Sequence, residues 1–321
     1  MTGREALLKN ARTIAGVFLC ALVSGCAGLL PQTAALSDKK PEGVPSSVEL
    51  TSVPFFPQSE YQCGPAALAT ALAAAGFTAD PAQLAEQVFL PARTGTLQVE
   101  MIAGARRHGA VATRIPPTLE AALREVQAGH PVVVLQNLGL SWVPAWHYAV
   151  LIGYDVAAGE VLLRSGTTRR EAMLMRTFEH TWQRSGAWAF VALPPGQWPA
   201  TLQEAAAVEA SVGFERVAPP AQAVLVYRSA LEHWPDSLSL AMGLGNSLHA
   251  LGDKRAAAQT FRGAAERHRS APAWINLSST LLELGDKTEA LSAARTAQSL
   301  AGEAWQGQAD EALRQALAAN R

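Results

Sequence analysis

Between Val48 and Pro195 the apolar residues follow two different rhythms in succession. At first they recur at helical spacing: Gly64 to Ala75, with Pro65 in its opening turn, then Ala82 to Val88 ahead of Pro91, Leu97 to Gly109, and Leu119 to Ala128, stopped by Gly129. From there the apolar residues form short unbroken runs, as strands do: Pro131 to Leu135, Tyr148 to Ile152, Glu160 to Leu163 and Trp188 to Ala192. Gly139, Gly153, Gly159 and Gly166 punctuate these runs, and a short helix is expected around Phe178 to Trp182. Ser52 to Phe56 makes an extended lead-in to the first helix. Helices first and antiparallel strands afterwards predict an α+β domain.

Beyond Pro194-Pro195-Gly196 and Pro199 no strand pattern survives. Leu251-Gly252-Asp253-Lys254 recurs 33 positions on as Leu284-Gly285-Asp286-Lys287. Ala257 and Phe261 fall beside Ala290 and Ala294, and Ala223, Tyr227 and Ala230 match Ala257, Phe261 and Ala264. Small residues at fixed places let paired helices approach, and the Gly turns join them. The spacing resembles the tetratricopeptide repeat, with two clear units, the last opened by Trp274, and a third represented mostly by its second helix.

The first residues change the picture. Arg4, Lys9 and Arg12 precede an apolar run from Thr13 to Val23, a pattern of secretory signals and too short for a stable span. Val23-Ser24-Gly25-Cys26 follows, matching a bacterial lipobox, so Cys26 is the expected lipidation site and mature N-terminus. Ala27 after it points to an outer-membrane lipoprotein facing the periplasm. Cys20 would leave with the signal, making Cys63 the one remaining thiol. The expected division is therefore a signal peptide over 1–26, a flexible tether over 27–47 that carries Pro31, Pro41 and Pro45, an α+β domain over 48–195 and helical repeats over 196–321. The composition is ordinary for a globular protein, with 49% hydrophobic and 17% charged residues. A net charge of −1, with no basic stripe, gives no reason to expect a nucleic-acid partner. One thiol and scattered histidines give no metal-ligand spacing, and no glycine-rich phosphate loop precedes a helix, so no cofactor is expected.

The chemistry concentrates in Gln58-Ser59-Glu60-Tyr61-Gln62-Cys63-Gly64-Pro65. A Cys where a loop becomes a helix has its thiolate favoured by the positive helix end. A nucleophilic thiol also needs a base and donors for the developing oxyanion. Gln58 can supply one donor and the Cys63 N–H another. Of seven histidines, His147 stands at the head of an apolar strand in Trp146-His147-Tyr148-Ala149-Val150-Leu151-Ile152-Gly153-Tyr154-Asp155, where its ring would be rigidly held. His108 and His130 sit near helix ends and are expected on terminal carbonyls, while His233, His249 and His268 belong to repeat surfaces.

The Gln58, Cys63-Gly64-Pro65-Ala66-Ala67-Leu68 and His147-to-Asp155 segments together resemble the papain-like peptidase domains that process bacteriocin leaders after double glycine. The resemblance spans about Ser52 to Leu193. It implies a helix bearing Cys63 packed on an antiparallel sheet bearing His147, with Cys63 as nucleophile, His147 as general base and acid, and Gln58 in the oxyanion hole. It departs from the family where an Asp or Asn should orient the imidazole: Ser165 stands there, with no charge, and Asp155 is expected in a turn at the far end of the His strand. The expected function is that of an exported, membrane-anchored thiol peptidase acting on peptide or protein substrates, with the repeats open to a protein partner. Two alternatives stand beside it. One is a catalytically inactive peptide-binding adaptor, suggested by Ser165. The other is a cell-wall amidase of the NlpC type, against which the Cys63-Gly64-Pro65 spelling argues.

Overall fold

The computed structural model describes residues 31–58 and 62–321, so the expectations placed on Cys20 and Cys26 lie outside the described residues. The first element is helix α1 (Pro31–Asp38), followed by strand β1 (Ser47–Glu49). This differs from the flexible tether expected over 27–47. Buried Glu179 accepts hydrogen bonds from the N–H groups of Gln32 (3.2 Å) and Thr33 (2.8 Å), satisfying the open helix start from a distant part of the chain. Leu36 and Val44 are buried in the core, and β1 pairs antiparallel with Gly153 to Asp155.

Helices α2 (Cys63–Ala74), α3 (Pro81–Val88) and α4 (Gln98–Arg107) come next, with a small hairpin of β2 (Phe89–Leu90) and β3 (Gly95–Thr96) between the last two. Asp80 caps α3 through the Ala82 N–H, and Pro81 opens it. Then follow β4 (Val111–Arg114), α5 (Leu119–Gln127), β5 (Val132–Asn137), β6 (Trp146–Asp155), β7 (Glu160–Ser165), β8 (Thr168–Leu174), α6 (Met175–Gln183) and β9 (Ala189–Leu193). The strands form one antiparallel sheet in the order β4-β9-β5-β6-β7-β8, with β1 pairing the far end of β6. Alternation along the strands divides the core between the two faces. On one face Val133, Leu135, Tyr148, Val150 and Leu162 pack under α2, α3 and α4. On the other Val134, Ala149, Leu151 and Leu163 pack under α1, α5 and α6. The α+β class expected from the sequence is the one observed.

Strands β4 and β8 are absent from the sequence expectation. Strand β8 is an edge strand whose side chains are mostly exposed, so no apolar run marks it. At the opposite edge β4 is covered by α7 (Glu204–Glu215), where Val111 packs with Ala210 and Phe214. Buried Glu125 ties the connection down by accepting from Ala200 N (3.0 Å), Thr201 N (2.7 Å), Thr201 Oγ1 (2.6 Å) and His130 Nδ1 (2.8 Å). The repeat region is all-helical: α7, α8 (Pro220–His233), α9 (Leu238–Leu251), α10 (Lys254–His268), α11 (Ala271–Leu284), α12 (Lys287–Leu300) and α13 (Gln306–Ala319). The partial unit thus has both of its helices, α7 and α8. The repeated Leu-Gly-Asp-Lys segment is a helix junction: Gly252 and Gly285 take φ of +90° and +87° at the helix ends, and Asp253 caps α10 through the Ala256 N–H. A Cβ at Gly245 would lie 2.3 Å from the Phe261 ring, so that position lets α9 and α10 approach.

Candidate active site

Cys63 is the first residue of α2, half-buried, against the sheet at β6. Glycine follows it for a steric reason: a Cβ at Gly64 would stand 2.6 Å from Thr96 Cβ and Oγ1 of β3. The backbone N–H groups of Tyr148, Gly64 and Cys63 itself face the sulfur and favour the thiolate. Burial outweighs them and pushes the thiol pKa up. Tyr148 Oη donates to the Thr96 carbonyl (3.2 Å), which fixes the hairpin over the start of α2.

The lead-in to Cys63 is held by the β7–β8 hairpin. Buried Arg164 donates to the Val53 carbonyl from Nε (3.2 Å) and Nη2 (2.9 Å), and Gln58 N–H donates to the Gly166 carbonyl (3.1 Å). Gln58 is thereby placed beside the end of β7, next to Ser165. Its side-chain amide has no hydrogen-bond partner among the described residues.

His147 is the second residue of β6 and pairs across the sheet with Gln136. Its Nε2 lies 2.9 Å from Ser165 Oγ at the end of β7. Burial holds the His147 pKa below its usual value, and Glu171, on β8 opposite Leu163, raises it in part. Among the described residues no hydrogen bond joins Cys63 to His147. The His147 ring turns to Ser165 on β7, whereas the next residue, Tyr148, is the one that packs against α2. Asp155 ends β6 and accepts from Ala158 N–H (2.9 Å) in the following turn, far from His147.

Other expectations sort in the same way. His108 Nδ1 lies 3.0 Å from the Gly104 carbonyl, as its place at a helix end implied. His130 instead meets the Glu125 carboxylate at 2.8 Å. Arg164, Glu171 and Gln136 were not singled out from the sequence. Gln136 is fully buried, donates to Thr181 Oγ1 (2.7 Å), and leaves its Oε1 without a partner among the described residues. Arg and Glu on a charged strand carry no pattern that distinguishes them from solvated surface, and their importance comes only from pairing. Among the described residues no group of three His, Cys, Asp or Glu converges to hold a metal ion. An open cleft of about 710 Å³ runs from Cys63 past Thr96, Leu97, Trp146 and Tyr148 to Arg93 and Arg184.

A half-buried thiol at a helix start, beside the strand that carries a histidine, is the layout on which the comparison with known families bears. Residues 50–190 match the Peptidase_C39 like family, and residues 271–303 match a tetratricopeptide repeat. The chain carries a C39-like peptidase domain. Helical repeats of the tetratricopeptide kind follow that C39-like domain in the C-terminal part. Similar solved structures include a C39-like peptidase from Bacillus anthracis, 22% identical, covering 46% of this chain and 98% of that one with a TM-score of 0.40. The type III secretion chaperone SycD of Yersinia enterocolitica, in complex with a peptide of the translocator YopD, is 16% identical, with 36% of this chain and 92% of that chain covered and a TM-score of 0.33. The TPR2B domain of yeast Sti1, in its pHsp70 complex, is 15% identical, with 37% and 98% covered and a TM-score of 0.34. No curated relative matches the chain.

Proposed function

We propose that the protein is a thiol peptidase in which Cys63 attacks a peptide carbonyl and His147 moves the proton. The observation that carries the reading is the placement of Cys63 at the start of α2, against the Tyr148 N–H, one residue from a histidine held by Ser165. With Nε2–H donated to Ser165 Oγ, the neutral imidazole keeps its lone pair on Nδ1, free to take the thiol proton. Sγ then bonds to the carbonyl carbon, and the oxyanion is met by the Cys63 N–H and, after reorientation, by the Gln58 amide. His147 returns the proton to the leaving amine, and water releases the acyl group from sulfur. Both resting groups are held neutral by burial, so the proton moves when substrate closes the gap between them; catalytic hydrogen bonds are often long before substrate binds.

The lipobox at Cys26 supports export and lipid anchoring. Because α1 docks on the domain from Pro31, the free reach between a lipidated Cys26 and the folded domain would be at most about 18 Å, for a fully extended segment. The C39-like domain would then work close to the membrane surface, with the repeats available to a protein partner. Replacing Cys26 with Ser and following incorporation of a labelled fatty acid tests the anchor. Loss of labelling supports it, and unlabelled wild type rules it out.

A second reading, a peptide-binding adaptor without catalysis, is favoured by the uncharged Ser165 and by the missing Cys63–His147 hydrogen bond. Alkylation of the purified full chain by iodoacetamide across pH separates the two. Peptidase chemistry predicts labelling of Cys63 that relies on His147 as base and slows markedly in His147→Ala across the pH range. Slow labelling, unchanged by His147→Ala, would leave only the adaptor.

A further inference from the structure

More than half of the large apolar side chains exposed among the described residues lie on the two segments that contribute Leu97 and Trp146 to the lining of the cleft at Cys63. On one lip, the loop between β5 and β6 presents Leu138, Leu140, Trp142, Val143 and Trp146, with Trp142 78% and Val143 64% exposed. On the other lip stand Leu97 and Val99. The loop is built to hold this display. Asn137 Oδ1 accepts from Gly139 N (3.0 Å) and Ala145 N (2.9 Å), Leu140 and Val143 exchange backbone hydrogen bonds of 3.1 Å, and Arg184 donates to the Gly139 carbonyl. A rigid loop that turns its apolar side chains outward gains nothing for folding and marks a binding surface.

The charge is one-sided. Among the described residues Arg93 and Arg184 line the cleft, no carboxylate does, and neither guanidinium forms an ion pair. Arg93 is carried on a tight turn whose next residue, Thr94, takes a left-handed φ of 47°. Such a conformation is uncommon for a β-branched residue and is maintained here at the mouth of the cleft.

We propose that the cleft selects extended peptide segments carrying large apolar side chains, together with an acidic residue for Arg93 and Arg184. The occupant follows from charge complementarity and from the continuity of the apolar lips with the space beside the thiol. Trp146 and Leu97 belong to both. A pair of glycines would leave the lips uncovered, so small residues are not what this cleft discriminates for. The selectivity deepens the peptidase reading and rests on it for the position of the scissile bond.

The full chain carrying Cys63→Ala, titrated into rhodamine-labelled decapeptides and followed by fluorescence anisotropy, tests the selectivity apart from catalysis. One peptide carries Glu with Leu and Phe; a second has Lys for Glu; a third has Ser for Leu and Phe; a fourth has a glycine pair. The first should bind about tenfold or more tightly than the others, a difference of roughly 1.4 kcal/mol. Its advantage over the Lys peptide should shrink with salt and with Arg93→Glu, and its advantage over the Ser peptide with Trp142→Ser; both are exposed side chains whose loss spares the fold. Equal binding of all four peptides, or tighter binding of the glycine pair, overturns the proposal. Iodoacetamide labelling of wild type runs in parallel. An activated thiol with unselective binding sinks the selectivity alone, whereas selective binding beside an unactivated thiol keeps the selectivity and sinks the peptidase.

Discussion

Replacing Ser165 with Asp supplies the charge that the His147 site lacks. His147 Nε2 and Ser165 Oγ are 2.9 Å apart, so the new carboxylate would come within about 4 Å of the ring. At an effective dielectric of about 20 that charge pair amounts to about 4 kcal/mol before screening. The ring is half-buried, and solvent on its open side reduces the gain, so a rise of about 1–2 pKa units is expected. Burial now holds His147 below the ordinary value of roughly 6.5, with Glu171 offsetting part of the loss, so at pH 7 the ring is neutral. In Ser165→Asp it should titrate at a higher pH than in the wild type. If the two residues couple as the peptidase reading requires, an imidazolium at His147 would in turn stabilise the Cys63 thiolate and speed its alkylation several-fold at pH 7. Heteronuclear NMR titration, with the His147 signal assigned by His147→Gln, reads the first effect, and the pH profile of iodoacetamide labelling reads the second. A His147 pKa that does not move refutes the geometry at Ser165. A pKa that rises while the Cys63 profile stays fixed refutes the coupling between the two residues.

Three further outcomes follow from the fold. Glu179→Ala removes the acceptor that closes the start of α1, so the Gln32 and Thr33 amides should exchange rapidly and stability should drop by about 1–3 kcal/mol in urea; protected amides would refute the docking. Gly245→Ala forces a Cβ into the Phe261 ring and should cost about 1–3 kcal/mol, read as a lower Tm, whereas Gly263→Ala, where a Cβ meets open space, should not. Buried neutral groups also make stability pH-dependent. The depressed His147 lets the unfolded chain take up a proton first, so its contribution is lost as pH falls from about 6.5 through the folded value. The raised Cys63 lets the unfolded chain release a proton first, so stability declines as pH rises beyond about 8.5. Urea midpoints of His147→Gln and Cys63→Ala should lack the acid and alkaline slopes respectively, and slopes identical to wild type would contradict the burial argument.

The order of elements was legible because burial imposes a period. Four helices and four strands of the C39-like domain lie within a few residues of where apolar spacing puts them, and the Leu-Gly-Asp-Lys recurrence locates the repeat junctions before any contact is known. Cys63 at a helix start and His147 at a strand start follow from the same local signals, since Pro65 opens helices and β-branched runs make strands. What periodicity reports is which face is buried, never what that face meets. Glu179 and Thr33 are 146 positions apart, and nothing in Pro31 to Asp38 alone announces that a buried carboxylate elsewhere will cap it. Without that partner the segment has the composition of a tether. Arg164 reaching Val53, Ser165 reaching His147, and the two apolar lips closing on Cys63 are likewise decided by strand pairing and helix packing. Local sequence sets the elements because backbone and side-chain preferences act over a turn or two. The site belongs to the tertiary structure because hydrogen bonds and charges act through a few ångströms of space, whatever their separation along the chain.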